Sequence, residues 1–129
     1  MKMYMKSISV DDQSKALDFY TNKLGFVVKH DIPLGEHRWL ALVSAEETEG
    51  VELGLEPNAH PATRAYQEAL MADGIPVSAF SVDDIEAEVA KLEAAGVVFT
   101  QPPVKAGGAT MAVFDDTCGN LIQLVELHV

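Results

Sequence analysis

An α+β fold built from two βαβββ repeats is the architecture this sequence predicts, and three observations predict it. Ser9-Val10-Asp11-Asp12 returns letter for letter as Ser81-Val82-Asp83-Asp84, 72 positions on. Around each copy the order is the same: an alternating run before it, a helix-like segment after it, then a glycine leading into β-branched residues, Gly25-Phe26-Val27-Val28 and Gly96-Val97-Val98-Phe99. Each half closes on a similar strand frame, Gly50-Val51-Glu52-Leu53 and Ile122-Gln123-Leu124, at an offset of 71. Two copies are too few for a solenoid, which needs three or more stacked units, so they fit one domain, residues 1–129, with pseudo-twofold symmetry. Repeat one takes residues 1–57, a connector 58–75, and repeat two 76–129.

Residues 3 to 10 alternate, with Ile8 and Val10 on one face and Met5, Ser7 and Ser9 on the other, the period-2 pattern of a strand. Asp11 or Asp12 caps the following helix, because a short carboxylate accepts from the free N–H groups of a first turn. Ala16, Leu17, Tyr20 and Leu24 recur at helical spacing, and Gly25 stands where a left-handed terminator belongs. Phe26 to Ile32 and His37 to Ser44 read as strands joined by a Pro33-Leu34-Gly35 turn. In the second of these, Trp39, Ala41 and Val43 share a face. Glu46 to Gly50 is a solvated turn, and Val51 to Glu56 a strand that sends Val51, Leu53 and Leu55 to one layer and Glu52, Gly54 and Glu56 to the other. In the connector, Pro61 suits the first position of a helix whose apolar stripe is Ala62, Ala65, Tyr66, Ala69 and Leu70.

The second half opens with a strand, Pro76 to Val82, in which Phe80 and Val82 match Ile8 and Val10 and leave Val77, Ala79 and Ser81 on the other face. Asp83 followed by Glu86 is a capping-box pattern, and Ile85, Val89 and Leu92 form the stripe of a helix ending near Gly96. Val97 to Thr100 is a short strand, and Pro102-Pro103 and Gly107-Gly108 bound a loop. Ala109 to Asp115 is a strand with Thr110, Ala112 and Phe114 on one side. Asp115 to Asn120 is turn chemistry. Leu121 to Leu127 is the last strand, with Ile122 and Leu124 facing the helix and Gln123 and Val125 facing away.

At 129 residues and 48% hydrophobic content, the chain can bury a real core without staples. Nine Lys and Arg against twenty Asp and Glu give a net charge of −11, which argues against a nucleic-acid or anionic-membrane surface, since phosphate binding needs clustered cations. The same charge draws cationic ligands at low salt, besides favouring solubility. One cysteine makes no internal disulfide. No N-terminal apolar run reads as a signal peptide and no window approaches a membrane span, so the expected location is cytoplasmic.

The two faces of the repeat strands differ in chemistry. The helix side is aliphatic throughout, whereas the far side carries Ser7, Ser9, Trp39, Glu52, Glu56, Ser81, Thr110 and Gln123. A face that is neither core-like nor densely charged predicts a semi-polar cavity.

Ala16-Leu17-Asp18-Phe19-Tyr20 with Lys23-Leu24-Gly25-Phe26, the Val82-Asp83-Asp84 helix start, and Asp115 to Asn120 before the last strand resemble the vicinal oxygen chelate superfamily, which includes glyoxalases, extradiol dioxygenases, fosfomycin-resistance enzymes and bleomycin-binding proteins. The resemblance covers essentially the whole chain and implies a curved mixed sheet around a cleft. For metal-dependent members it implies four ligands, His or Glu on the first and last strand of each half. The matching positions here are Met5, Glu52, Val77 and Gln123. Met5 and Val77 offer no oxygen donor to a hard divalent ion, and one carboxylate with one amide falls short of the three or four protein ligands that hold zinc. No catalytic metal and no cofactor is expected.

The expected ligand-binding set is therefore Met5, Trp39, Glu52, Val77, Thr110, Phe114 and Gln123. Glu52 carries the sharpest chemistry, as a desolvated general base or as the counter-ion of a bound cation, set against the plain reading of an exposed acid. Trp39 is either core or a platform for an aromatic or cationic ligand. His30 and His37 flank a turn, His128 is terminal, and His60 starts a helix or overhangs the pocket. Cys118 sits in a turn without the electropositive setting of a reactive thiol. Gly107-Gly108 lacks the Lys and Ser/Thr of a phosphate loop. Three readings of function follow. The leading one is a metal-free homodimer that sequesters a small cationic or aromatic molecule, similar to the bleomycin-binding branch. The second is a glyoxalase-like lyase or isomerase with Glu52 as base. The third is a purely structural role.

Overall fold

The computed structural model describes residues 1–128. Contacts divide the chain into two compact units, Met1–Ala65 and Tyr66–Val129. The first holds β1 (Met5–Val10), α1 (Gln13–Asp18), β2 (Val27–Leu34), β3 (His37–Val43) and β4 (Glu52–Pro57); the second holds β5 (Ser78–Ser81), α3 (Ile85–Ala94), β6 (Phe99–Ala106), β7 (Ala109–Asp115) and β8 (Leu121–Leu127). Helix α2 (Pro61–Asp73) starts at the predicted proline and spans the boundary. Each unit is one four-stranded mixed sheet, ordered β1-β4-β3-β2 and β5-β8-β7-β6. In both, the first strand pairs parallel with the last and the other pairings are antiparallel. The expected α+β fold of two βαβββ units is the fold observed.

In the first unit the aliphatic face packs under α1. Ile8, Val10, Leu40, Leu42, Leu53 and Leu55 are buried together with Ala16, Phe19 and Tyr20. Asp12 is the cap: its Oδ1 accepts the N–H groups of Ser14 and Lys15 at 2.9 and 3.0 Å. The helix then loosens into a π-helical turn, Phe19–Lys23, and this changes which residues face the sheet. Phe19 and Tyr20 are buried, whereas Leu17 and Leu24 of the expected stripe are only half-buried. Gly25 ends the helix at φ 84°, in the left-handed region that costs glycine nothing.

The second unit repeats this with small changes. Asp84, not Asp83, caps α3, accepting the Ala87 N–H at 3.1 Å, so the second aspartate of each Val-Asp-Asp copy does the same work and the expected Asp83–Glu86 box does not form. Ile85, Val89 and Leu92 are buried as predicted. In α2, by contrast, the buried residue is Gln67, whose amide donates to the Asn120 Oδ1 at 3.0 Å. The anticipated stripe is exposed at Ala62, Ala65, Tyr66 and Ala69.

Both proline-containing stretches read as a turn or a loop are in fact strand. β2 continues through Pro33 to Leu34, and β6 runs through Pro102 and Pro103. Both strands are sheet edges, where a missing N–H costs no ladder bond, and β6 absorbs its prolines in a register shift between Gln101 and Val104.

Candidate functional site

In the first unit the pairing of β4 with its neighbours decides which side chains meet. β4 sets Glu52 opposite Met5, Gly54 opposite Ser7 and Glu56 opposite Ser9, while Ala41 of β3 lies against Gly54 from the other side. Paired residues project to the same side of a sheet, so Met5, Ser7, Ser9, Ala41, Glu52, Gly54 and Glu56 share one face. Trp39, two residues from Ala41, joins them. The alternation read from the sequence holds for every one of these positions. The approach at Gly54 is close: a β-carbon there would stand 2.9 Å from the Met5 Sδ and 3.4 Å from both the Ser7 Oγ and the Glu56 Oε1.

Glu52 is the unusual group on this face. Its side chain is 7% exposed, and its Oε2 lies 3.6 Å from the Lys29 Nζ, an ion-pair distance too long for a hydrogen bond. Its Oε1 is buried and accepts from none of the described residues. A buried acceptor without a donor is costly, about 1–3 kcal/mol and more for a charged group, and marks a position where something else donates. On the same face, in the rows of Gly54 and beyond, the rings of His30 and Trp39 stack at 4.4 Å with 22° between their planes, both half-buried.

Lys29 and His30 were not among the expected site residues. The sequence placed His30 near a turn; the longer β2 instead carries it opposite Ala41. Lys29 is delivered by a register shift between Val28 and His30, which leaves it as the extra residue of a bulge. A bulge re-aims a side chain and depends on strand pairing, so no local pattern announces it.

On the first unit's other features, Gln13 at the start of α1 is buried and fully bonded. Its Nε2 donates to the Arg38 and Leu55 carbonyls at 2.8 Å each, and its Oε1 accepts the Arg38 N–H at 3.0 Å. Arg38 grips Asp31 through Nε and Nη2 at 2.9 and 2.7 Å and the Ser14 Oγ through Nη1 at 2.8 Å. Those hydrogen bonds hold the Asp31 carboxyl below its ordinary value, against the opposing effect of burial. An open hollow of about 290 Å³ lies here, lined by Asp12, Gln13, His37, Arg38 and Asn58 among others. Its one buried polar side chain, Gln13, has every partner it needs, so we place the candidate site at Glu52.

In the second unit the site residues divide. Gln123 pairs with Ala79 of β5 and Val113 of β7, and is half-buried. Val77, expected within the first strand of this half, precedes β5, and its N–H bonds the Leu121 carbonyl. Thr110 and Phe114 require correction. Phe114 pairs with Ile122 and Thr110 with Glu126, so both stand on the helix side, opposite Gln123. The cause is the unequal repeat offset. Trp39 advanced by 72 is Met111, which pairs with Val125 on Gln123's face; advanced by 71 it is Thr110, on the other. Phe114 is fully buried core, edge-on to Phe99 at 5.6 Å. Thr110 is an anchor: its Oγ1 meets the His128 Nε2 at 2.7 Å, the His128 Nδ1 lies 3.2 Å from the Glu126 Oε2, and the Glu126 Oε1 accepts the Ile85 N–H at 2.9 Å.

His60 caps α2, its Nδ1 accepting the Ala62 N–H at 3.0 Å. Cys118 is buried without exposure in the turn before β8. At the four positions where the resemblance implies metal ligands stand a thioether, one carboxylate, an isopropyl group and an amide, and that carboxylate already has an ammonium beside it. This donor set does not fit a hard divalent ion. Among the described residues no group of three or more His, Cys, Asp and Glu is placed to hold a metal, and no helix is long and apolar enough to cross a membrane.

The sequence profile of the Glyoxalase/Bleomycin resistance protein/Dioxygenase superfamily matches residues 3–124. The uncharacterized protein YurT of Bacillus subtilis (strain 168) is 52% identical over 126 residues, covering 98% of this chain and 99% of YurT. Among solved structures, UcmS2 is 36% identical with a TM-score of 0.84, with 98% of each chain covered. TnmS3, an antibiotic binding protein from Streptomyces sp. CB03234, is 27% identical with a TM-score of 0.78, over 98% of this chain and 96% of that one.

Proposed function

The chain belongs to the Glyoxalase/Bleomycin resistance protein/Dioxygenase superfamily, and from that premise we propose that it is a metal-free homodimer that binds a small cationic or aromatic molecule on the face carrying Glu52 and Trp39. The observation that carries this reading is the Glu52 Oε1, a buried carboxylate oxygen with no donor. A ligand N–H or ammonium supplies that donor, and the His30–Trp39 pair on the same face offers an aromatic surface for stacking. A net charge of −11 raises the local concentration of cations before they dock. The likeness to TnmS3, itself an antibiotic binding protein, supports the binding of a small molecule.

Trp39 is the sole tryptophan, so its fluorescence reports the site without a label. Titration with cationic aromatic antibiotics should quench it saturably, and Glu52→Gln should weaken binding about tenfold or more, the scale of a charge-assisted hydrogen bond. Quenching absent across the panel, or unmoved by Glu52→Gln, would overturn the reading.

The same oxygen supports one alternative, a lyase or isomerase in which Glu52 removes a proton next to a carbonyl. Assays with the hemithioacetals of glutathione and bacillithiol, with and without added divalent metals, separate the two. Turnover abolished by Glu52→Gln favours the enzyme, and no turnover under any condition favours the binder.

A further inference from the structure

We propose that Lys29 is the protein's own occupant of the Glu52 site: a tethered ammonium that neutralises the carboxylate when no ligand is bound and swings to Glu49 when a cationic ligand arrives. The proposal rests on the binding reading above and names its regulation.

Three observations carry it. Lys29 is the extra residue of the bulge between Val28 and His30, so the backbone of β2 departs from regular pairing at the point that sends this side chain toward Glu52. The ammonium stands 3.6 Å from the Glu52 Oε2 and 3.6 Å from the Glu49 Oε2, midway between a carboxylate that is 7% exposed and one that is 92% exposed. A flexible four-carbon stem passes between such positions by rotamer changes alone. Finally, 3.6 Å lies beyond hydrogen-bond reach, so Lys29 offsets the charge of Glu52 while leaving its Oε1 without a donor. A lysine built to lock the acid would close that distance. One held loosely between a buried and an exposed acid keeps the buried charge tolerable and yields to a better donor. Affinity for cations is then set by the competition, and a neutral ligand, which cannot replace the lost ammonium, is discriminated against.

Two measurements test this on the full chain. The first is the rate of Lys29 acetylation by N-hydroxysuccinimidyl acetate, read by mass spectrometry with the other lysines as internal standards. Without ligand, Glu52→Gln should speed labelling of Lys29 about threefold or more, because the exposed Glu49 alone holds it weakly. Saturating proflavine, a cationic aromatic probe, should do the same in the unmutated protein. The second is proflavine affinity by calorimetry: Lys29→Met should bind about fivefold more tightly, and Lys29→Arg, which keeps the charge, should stay near the unmutated value. Unchanged labelling in Glu52→Gln overturns the proposal. So does proflavine that binds without raising Lys29 labelling, or that binds Lys29→Met no better. Absence of proflavine binding in every variant would instead count against the cationic-ligand reading, while the ligand-free labelling still decides whether Lys29 sits on Glu52.

Discussion

Single residues carry two kinds of burden here, and their mutations should separate accordingly. Gln13 is structural: it satisfies two backbone carbonyls and one N–H that β3 and β4 leave over. Gln13→Ala strands those groups and should cost about 2–4 kcal/mol, read as a lower urea midpoint with an unchanged slope. Gly54 is different. The atom a new β-carbon would strike first is the Sδ of a flexible Met5 side chain, so Gly54→Ala should leave the urea midpoint nearly unmoved yet alter ligand affinity by displacing Met5. Asp31 supplies a pH test. Its folded carboxyl titrates below the ordinary value of 3.8 because Arg38 hydrogen-bonds it, so the unfolded chain binds that proton more readily. The pair therefore stabilises the fold above pH 3.8 and loses that contribution as pH falls through the depressed value. Asp31→Asn should flatten the acid limb of stability against pH and leave neutral-pH stability little changed, since an exposed pair contributes little.

Elements follow local chemistry where they start and stop, and tertiary pairing where they face. The two helix caps, Asp12 and Asp84, occupy the same place in the duplicated Val-Asp-Asp segment. Removing either as Asp→Ala should cost about 1 kcal/mol in chemical denaturation, whereas Asp11→Ala and Asp83→Ala should cost far less. Helix starts and the terminal Gly25 and Gly96 were therefore legible from the sequence, because caps and left-handed glycines act within a few residues. The face of the first sheet was legible too, since Met5, Trp39 and Glu52 alternate cleanly against aliphatic neighbours. What stayed hidden depends on partners. Lys29 reaches Glu52 only because β2 bulges against β3, and Thr110 and Phe114 change sides because the second hairpin follows the first at an offset of 72, Leu34–His37 becoming Ala106–Ala109, while Glu52 and Gln123 are 71 apart. The strand runs through Pro33 and Pro102-Pro103 are hidden for a related reason: proline signals a break unless the strand is known to be an edge.

At the scale of the whole molecule, charge is unevenly spread and apolar surface is left open, and salt acts on the two in opposite ways. Residues 1–65 hold seven Lys and Arg against ten Asp and Glu, and residues 66–129 hold two against ten, so most of the −11 lies in the second unit. Along the edge strand β2, Val27, Val28, Ile32 and Leu34 are 40%, 47%, 42% and 61% exposed. Such an edge is ordinarily covered, and in the homodimer proposed above a second copy covers it. Sedimentation velocity should then show a dimer that Val28→Lys with Leu34→Lys converts to monomer without unfolding. Salt provides the complementary experiment. Going from about 0.01 M to about 0.1 M shortens the screening length from about 30 Å to about 10 Å. That weakens the self-repulsion of an acidic chain and the long-range pull on a cation together, while apolar contacts are untouched. Thermal midpoint and dimer affinity should therefore rise with salt as the affinity for a cationic ligand falls. A ligand affinity that rose in parallel with the other two would show that apolar contact, not the charge of Glu52, governs capture.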